Sequence, residues 1–147
     1  MQETELNGYD HLVVSSTYNL KYLLGANFDT GERMTVLLLT PGKKAKLFIH
    51  QMFSDQIPDF NGIEIVYYSD DMDPVKTLAS HFSSKERLGI DQTWLCSYFI
   101  DLLKHLPEIK FEKSTIVEKL REIKDTQEID TLRQSAKIAD AVIYQIL

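Results

Sequence analysis

The stretch Met34–His50, MTVLLLTPGKKAKLFIH, decides how this chain folds. Met34 to Thr40 is a continuous apolar run, suited to a strand covered on both faces. Pro41-Gly42 punctuates it, and Ala45 to His50 (AKLFIH) reads as a returning strand. The connection Thr40 to Lys43 has hairpin length, which predicts an antiparallel pair. Working outward, His11 to Ser15 (HLVVS) reads as a short buried strand, and Ile63 to Tyr68 (IEIVYY) follows the turn dipeptide Asn61-Gly62. Arg87 to Asp91 and Lys110 to Glu112 are further short strands. Between them, Asp73-Pro74 predicts an N-cap with proline at the first helical position, and Val75, Leu78, Ala79 and Phe82 mark one face. Thr93 to Leu106 reads as a longer helix, with Trp94, Tyr98, Leu102 and Leu106 at helical spacing. Leu95, Phe99 and Leu103 widen that face, which predicts a well-buried helix, and Pro107 stops it. The expected class is α/β, a mixed sheet of about five to six strands flanked by helices.

The texture changes near residue 113. Residues 1–112 carry 10 Lys and Arg against 16 Asp and Glu, a net of −6, whereas residues 113–147 carry 6 of each. No Gly or Pro occurs after residue 112. Thr115 and Glu118 have the spacing of a capping box before the stripe Ile116, Leu120, Ile123. Asp125 or Thr126 can cap the next helix, with Glu128 in its first turn. Ile129, Leu132, Ala136, Ala139, Ile143 and Ile146 then recur at helical spacing, an apolar stripe about 30 Å long. The reading is an α/β domain over 1–112, then a linker and helix over 113–147 that break off in mid-stripe, as in a fragment of a longer protein.

Composition narrows the function. Hydrophobic residues are 44% and charged residues 26%, ordinary for a globular protein. The net charge of −6 over 147 residues argues against a nucleic-acid partner, which needs basic side chains to neutralise phosphates. No apolar run approaches the roughly 20 residues of a membrane span, so no membrane partner is expected. Cys96 is the single cysteine, which fits a reducing, cytoplasmic compartment.

No self-sufficient catalytic constellation emerges from the residues. The histidines at 11, 50, 81 and 105 lack the spacing that puts two ligands on one helix face, and His11 and His50 read as core or edge histidines. Asp70-Asp71-Met72-Asp73 lacks the glycine and distal glutamate of a calcium loop and reads as a solvated, helix-capping turn. Cys96 reads as a buried, inert thiol. Ser15-Ser16-Thr17 has no nucleophile elbow around it and reads as a strand end that caps a short helix. No metal ligand is assigned.

Two stretches carry a resemblance. Ser16 to Gly25 (STYNLKYLLG), followed by Asp29-Thr30-Gly31-Glu32-Arg33 leading into MTVLLL, resembles the N-terminal domain of the creatinase/prolidase, or Xaa-Pro peptidase, family. There a serine-rich turn, an N-x-x-Y-L-T-G-F helix and an E-R pair precede the next strand. Ile116 to Ile129 (IVEKLREIKDTQEI), continuing into LRQSAKIAD, looks like the family's passage from the N-terminal domain into the first helix of the catalytic domain. Leu88-Gly89-Ile90-Asp91 is similar to the step before its second long helix. Ala26 stands where the family has phenylalanine, and the helix before the first strand is reduced to Met1–Tyr9.

The resemblance implies a non-catalytic N-terminal domain of a metal-dependent Xaa-Pro dipeptidase or aminopeptidase. The Xaa-Pro bond carries no N–H, so peptidases that grip that group fail on it. The family uses two divalent ions (manganese, cobalt or zinc) held by two Asp, one His and two Glu of a C-terminal catalytic domain. None of those motif positions occurs before residue 147, so the cofactors are expected outside this chain and the chain alone is expected to be inactive. The implied partners are its own catalytic domain, a second copy in a homodimer, and an Xaa-Pro peptide. Asp29, Glu32 and Arg33 fall in the loop that can face the cleft, with a Glu32/Arg33 ion pair as the plainer reading. Asn19, Tyr22, Gly25, Arg121, Lys124 and Glu128 are motif positions read as structural. A protein-binding relative lacking metal ligands and a creatinase-type amidinohydrolase are the alternatives.

Overall fold

The MTVLLLTPGKKAKLFIH hairpin forms the middle of the sheet. In the computed structural model, which describes residue 6 and residues 8–146 without the side chain of Ile146, β2 (Val36–Leu39) pairs antiparallel with β3 (Ala45–His50), Val36 opposite Phe48 and Leu38 opposite Lys46. Most of the short element expected over Met1–Tyr9, and the Ile146 end of the long stripe, lie outside the described residues. β1 (His11–Val14) pairs antiparallel with β2 and parallel with β5 (Arg87–Ile90). β4 (Ile63–Tyr68) and β6 (Lys110–Lys113) add parallel strands at the two edges, beside β3 and β5. The sheet has six strands in the order β4-β3-β2-β1-β5-β6. It is mixed, as expected: the tight β2–β3 turn forces antiparallel pairing, β1 and β2 are antiparallel across α1 (Thr17–Leu24), β5 and β6 are parallel across α3 (Cys96–His105), and α2 (Pro74–Ala79) lies between β4 and β5.

Alternation along the strands sends side chains to opposite faces. Val13, Val36, Leu38, Phe48, Leu88 and Ile90 join Val75 and Leu78 of α2 and Leu102 of α3 in one core. Leu12, Val14, Leu37, Leu47 and Ile49 join Leu20 of α1, Phe28 and Val117 in the other. Each fully buried aliphatic contributes about 1.5–3 kcal/mol. The two strands of the hairpin are apolar on both faces because both faces are covered. Asp73 caps α2 as its sequence predicts, its carboxylate accepting from Val75 N at 2.9 Å and Lys76 N at 3.0 Å. Gly25 ends α1 at φ +67°, and its N–H closes on Lys21 O at 2.9 Å. Gly89 is required by a close approach: a Cβ there would lie 2.6 Å from the Tyr9 ring.

Four expectations are corrected. The long helix starts at Cys96, not Thr93, because Leu95 at its N-cap is extended (φ −60°, ψ 125°). That shifts the buried face. Leu102 is the buried residue of α3, while Leu95, Ile100 and Leu103 are exposed, so the helix packs by one narrow side and is not well buried. The same late start leaves Cys96 exposed on the first turn instead of inside the core. Ser16 occupies the N-cap of α1, but its side chain makes no cap bond.

The chain divides into two compact units, Met1–Val117 and Glu118–Leu147. The second contains most of α4 (Ile116–Glu122) and the whole of α5 (Thr126–Ile146). α5 opens with a reciprocal capping box: Glu128 N donates to Asp125 Oδ1 at 2.8 Å, and Asp125 N donates to Glu128 Oε2 at 2.8 Å. No helix among the described residues is long and apolar enough to cross a membrane.

Candidate functional site

The parallel strands β3 and β4 end side by side, His50 opposite Tyr68. β2 runs the other way, so the segment that feeds it, Asp29–Arg33, arrives at the same end of the sheet. In open α/β sheets the carboxyl ends of parallel strands are where ligand groups gather.

A turn shapes this segment. Arg33 N donates to Thr30 O at 3.0 Å, and Thr35 Oγ1 bonds Thr30 Oγ1 at 2.9 Å. Tyr98 of α3 donates its hydroxyl to Glu32 O at 2.7 Å. The next carbonyl but one, Met34 O, accepts from Tyr68 OH at 2.7 Å. Burial pushes the Tyr68 hydroxyl far above its ordinary range. The Arg33 guanidinium bonds the Asp70 carboxylate through Nη1, with Nη2 3.5 Å from the second oxygen. Arg33 holds the Asp70 carboxyl below the usual carboxylate range, and His50 adds to the effect. The side chains of Asp29 and Glu32 are exposed and make no hydrogen bond among the described residues. The expected Glu32/Arg33 pair is therefore corrected: the partner of Arg33 is Asp70, two residues past β4.

His50 lies behind this pair and is 3% exposed. Its Nδ1 accepts from Met52 N at 3.2 Å, capping the 3₁₀ turn Gln51–Gln56. An N–H only donates, so in the neutral ring the proton sits on Nε2. Nε2 is 3.2 Å from Asp70 Oδ1, but off the line that a hydrogen bond requires. This cluster holds fixed charge. It contains no nucleophile with an adjacent base. Among the described residues no group of three or more His, Cys, Asp or Glu can hold a metal ion, so the two-ion centre implied by the resemblance finds no ligand set here.

A second polar junction lies at the end of β5. Asp91, 8% exposed, accepts through Oδ2 from Ser16 N (3.0 Å), Asn19 Nδ2 (3.1 Å) and Ser15 N (3.3 Å), tying β5 to the start of α1. Asn19 is thus buried at this junction. Tyr22 is partly exposed on α1, and Arg121 is half-buried on α4. Lys124 donates to Glu122 O at 3.1 Å, and Glu128 serves the α5 cap. Beside Asp91 an open cleft of about 350 Å³ is lined by Ile90, Trp94, Cys96, Phe99 and Phe111. Sequence reasoning missed Asp70 as the partner of Arg33 and His50 as a neighbour of Asp70. The only advance signal was the placement of both at predicted strand ends.

A mixed six-stranded sheet with helices on both faces, and a charged loop at the carboxyl ends of two parallel strands, defines an α/β domain. Residues 2–123 match the Creatinase/Prolidase N-terminal domain model, and the chain belongs to that family. A prolidase from Thermococcus sibiricus is similar at 30% identity and a TM-score of 0.85, over 95% of this chain and 39% of its own. A dipeptidase from Pyrococcus horikoshii shares the fold at 24% identity and a TM-score of 0.83, over 95% of this chain and 40% of its own. The isolated Creatinase/Prolidase N-terminal domain of an X-Pro dipeptidase from Streptococcus pyogenes shares it at 16% identity and a TM-score of 0.64, over 80% of this chain and 89% of its own. The chain thus spans about two-fifths of the length of the two whole enzymes. A comparison with curated proteins gives no match.

Proposed function

We propose that this chain is the non-catalytic N-terminal domain of a cytoplasmic, metal-dependent Xaa-Pro dipeptidase or aminopeptidase, and that it shapes the substrate cleft and a homodimer of the whole protein. The observation that carries the reading is the 30% identity to the Thermococcus prolidase across 95% of this chain. In this reading, residues 1–112 are the α/β domain, and residues 113–147 are the linker and first helix of a catalytic domain that supplies the ligands for two divalent ions. The family match ends at residue 123 and the first compact unit at Val117, both within the proposed linker region. Asp29, Glu32 and Arg33 border the cleft, where a fixed cation suits the carboxylate of a peptide terminus.

The test is hydrolysis of an Xaa-Pro dipeptide with manganese, cobalt or zinc, by residues 1–147 and by the parent protein. The parent is expected to cleave the substrate and to lose activity on chelation, and the 147-residue chain to cleave nothing. Metal-dependent hydrolysis by the 147-residue chain overturns the non-catalytic assignment. An inactive parent lacking Asp, Asp, His, Glu and Glu at family spacing overturns the peptidase assignment.

A further inference from the structure

We propose that His50 is a positioning residue for Arg33, acting through Asp70: the buried imidazole aims the carboxylate, and the carboxylate fixes the guanidinium. The inference rests on the reading of Asp29–Arg33 as a cleft-bordering loop only for its functional consequence.

Three observations support the relay. A buried nitrogen without an aligned partner calls for an explanation, and His50 Nε2 is such an atom. Asp70 Oδ1 lies 3.2 Å from it, on a side chain that is 74% exposed. The ring itself cannot turn. Met52 N–H fixes one edge, and the Tyr68 ring packs edge-on against it at 5.1 Å. A donor held in place therefore faces an exposed carboxylate, and the same carboxylate oxygen receives Arg33 Nη1. The charged and titratable groups around the imidazole are Asp70 and Tyr68 from β4 and the turn after it and, beyond Asp70, Arg33 from the loop, with Tyr98 of α3 holding the neighbouring Glu32 carbonyl. Two anchors, Tyr98 and Asp70, thus pin adjacent residues of the loop, and His50 stands behind the second.

Two substitutions separate this role from simple capping. In His50→Gln the amide N–H₂ takes the place of Nε2 and still donates to Asp70, while the acceptor for Met52 N is lost. In His50→Asn the amide oxygen takes the place of Nδ1 and still accepts from Met52 N, while the donor to Asp70 is lost. The readout is the titration midpoint of the Asp70 carboxyl, followed by carbon-13 NMR in the 147-residue chain, with circular dichroism to show that each variant is folded. The relay expects His50→Asn to raise the midpoint and His50→Gln to leave it at the wild-type value. The opposite order, or no movement in either variant, overturns it. In the parent enzyme, His50→Asn is expected to raise KM for an Xaa-Pro dipeptide roughly threefold with kcat held. If the midpoint moves as expected and Arg33→Ala leaves KM and kcat unchanged, the relay stands and the cleft-bordering role of the loop fails.

Discussion

Asp91 and Asp70 each follow a strand of the same sheet, one residue past β5 and two past β4, and meet opposite surroundings. Asp91 is 8% exposed and receives only neutral donors, from the end of β1, from α1 and from its own loop. Asp70 is largely in solvent and faces a guanidinium and a histidine. A carboxylate sunk among N–H groups cannot be removed without stranding those donors away from water, so it serves as a staple. A carboxylate in water loses much of its Coulomb attraction to screening, and its contribution is where it puts its partner. Two strand ends on the same carboxyl edge of one sheet thus separate holding the fold together from aiming a side chain.

The largest expected effect breaks the staple. Asp91→Ala leaves Ser15 N, Ser16 N and Asn19 Nδ2 without their shared acceptor. Charged hydrogen bonds of this kind contribute about 1.5–3 kcal/mol, and unpaired buried donors add to the loss, so destabilisation of about 3 kcal/mol is expected in urea unfolding. Asp91→Asn keeps an acceptor oxygen and is expected to lose less than half of that. A loss below about 1 kcal/mol for Asp91→Ala would place Asp91 with Asp70 and dissolve the contrast.

Much of this sheet was legible from residue order. β3 and β4 match their predicted bounds because each is a short apolar run behind a turn dipeptide. The Asp73-Pro74 cap was legible, and Asp125 was one of two candidates for the α5 cap, because such caps join residues within three positions of each other. The start of α3 was not, since the apolar period runs unbroken through Trp94 and Leu95 while the backbone there is still extended. The partner of Arg33 was not either. Asp70 lies 37 positions away and is brought into reach only by the parallel register of β3 and β4, whereas Glu32, the neighbour in sequence, points elsewhere.

Asp73 stands between the two extremes and sharpens the comparison. Its side chain is half in solvent, yet it accepts two backbone N–H groups. The Lys76 N–H does most to hold its carboxyl below the ordinary 3.8, helped by the Val75 N–H and His105. A carboxyl depressed in the folded state adds stability that is present above its unfolded value and is lost as pH falls through the folded one. Asp73→Ala is expected to cost about 1 kcal/mol at neutral pH, the usual size of a lost N-cap. Asp73→Asn keeps the acceptor without the titration, so its difference from wild type is expected to shrink below about pH 4. A difference that grows on acidification contradicts this assignment.

The smallest expected effect on stability is at Arg33. The guanidinium and Asp70 are both solvated, so removing the Arg33 side chain alone strands no buried donor. Thermal unfolding of Arg33→Ala is expected to stay within about 1–2 °C of wild type. The loop keeps its Tyr98–Glu32 and Thr30–Thr35 bonds, so its backbone course is expected to persist. What changes is the Asp70 carboxyl, which loses the main influence holding it low and is expected to titrate higher. A variant with unchanged melting and a raised Asp70 midpoint is the signature of a contact that aims without holding. A melting loss of several degrees would instead make Arg33 a second staple, and the division between the two strand ends would have to be redrawn around the charged loop.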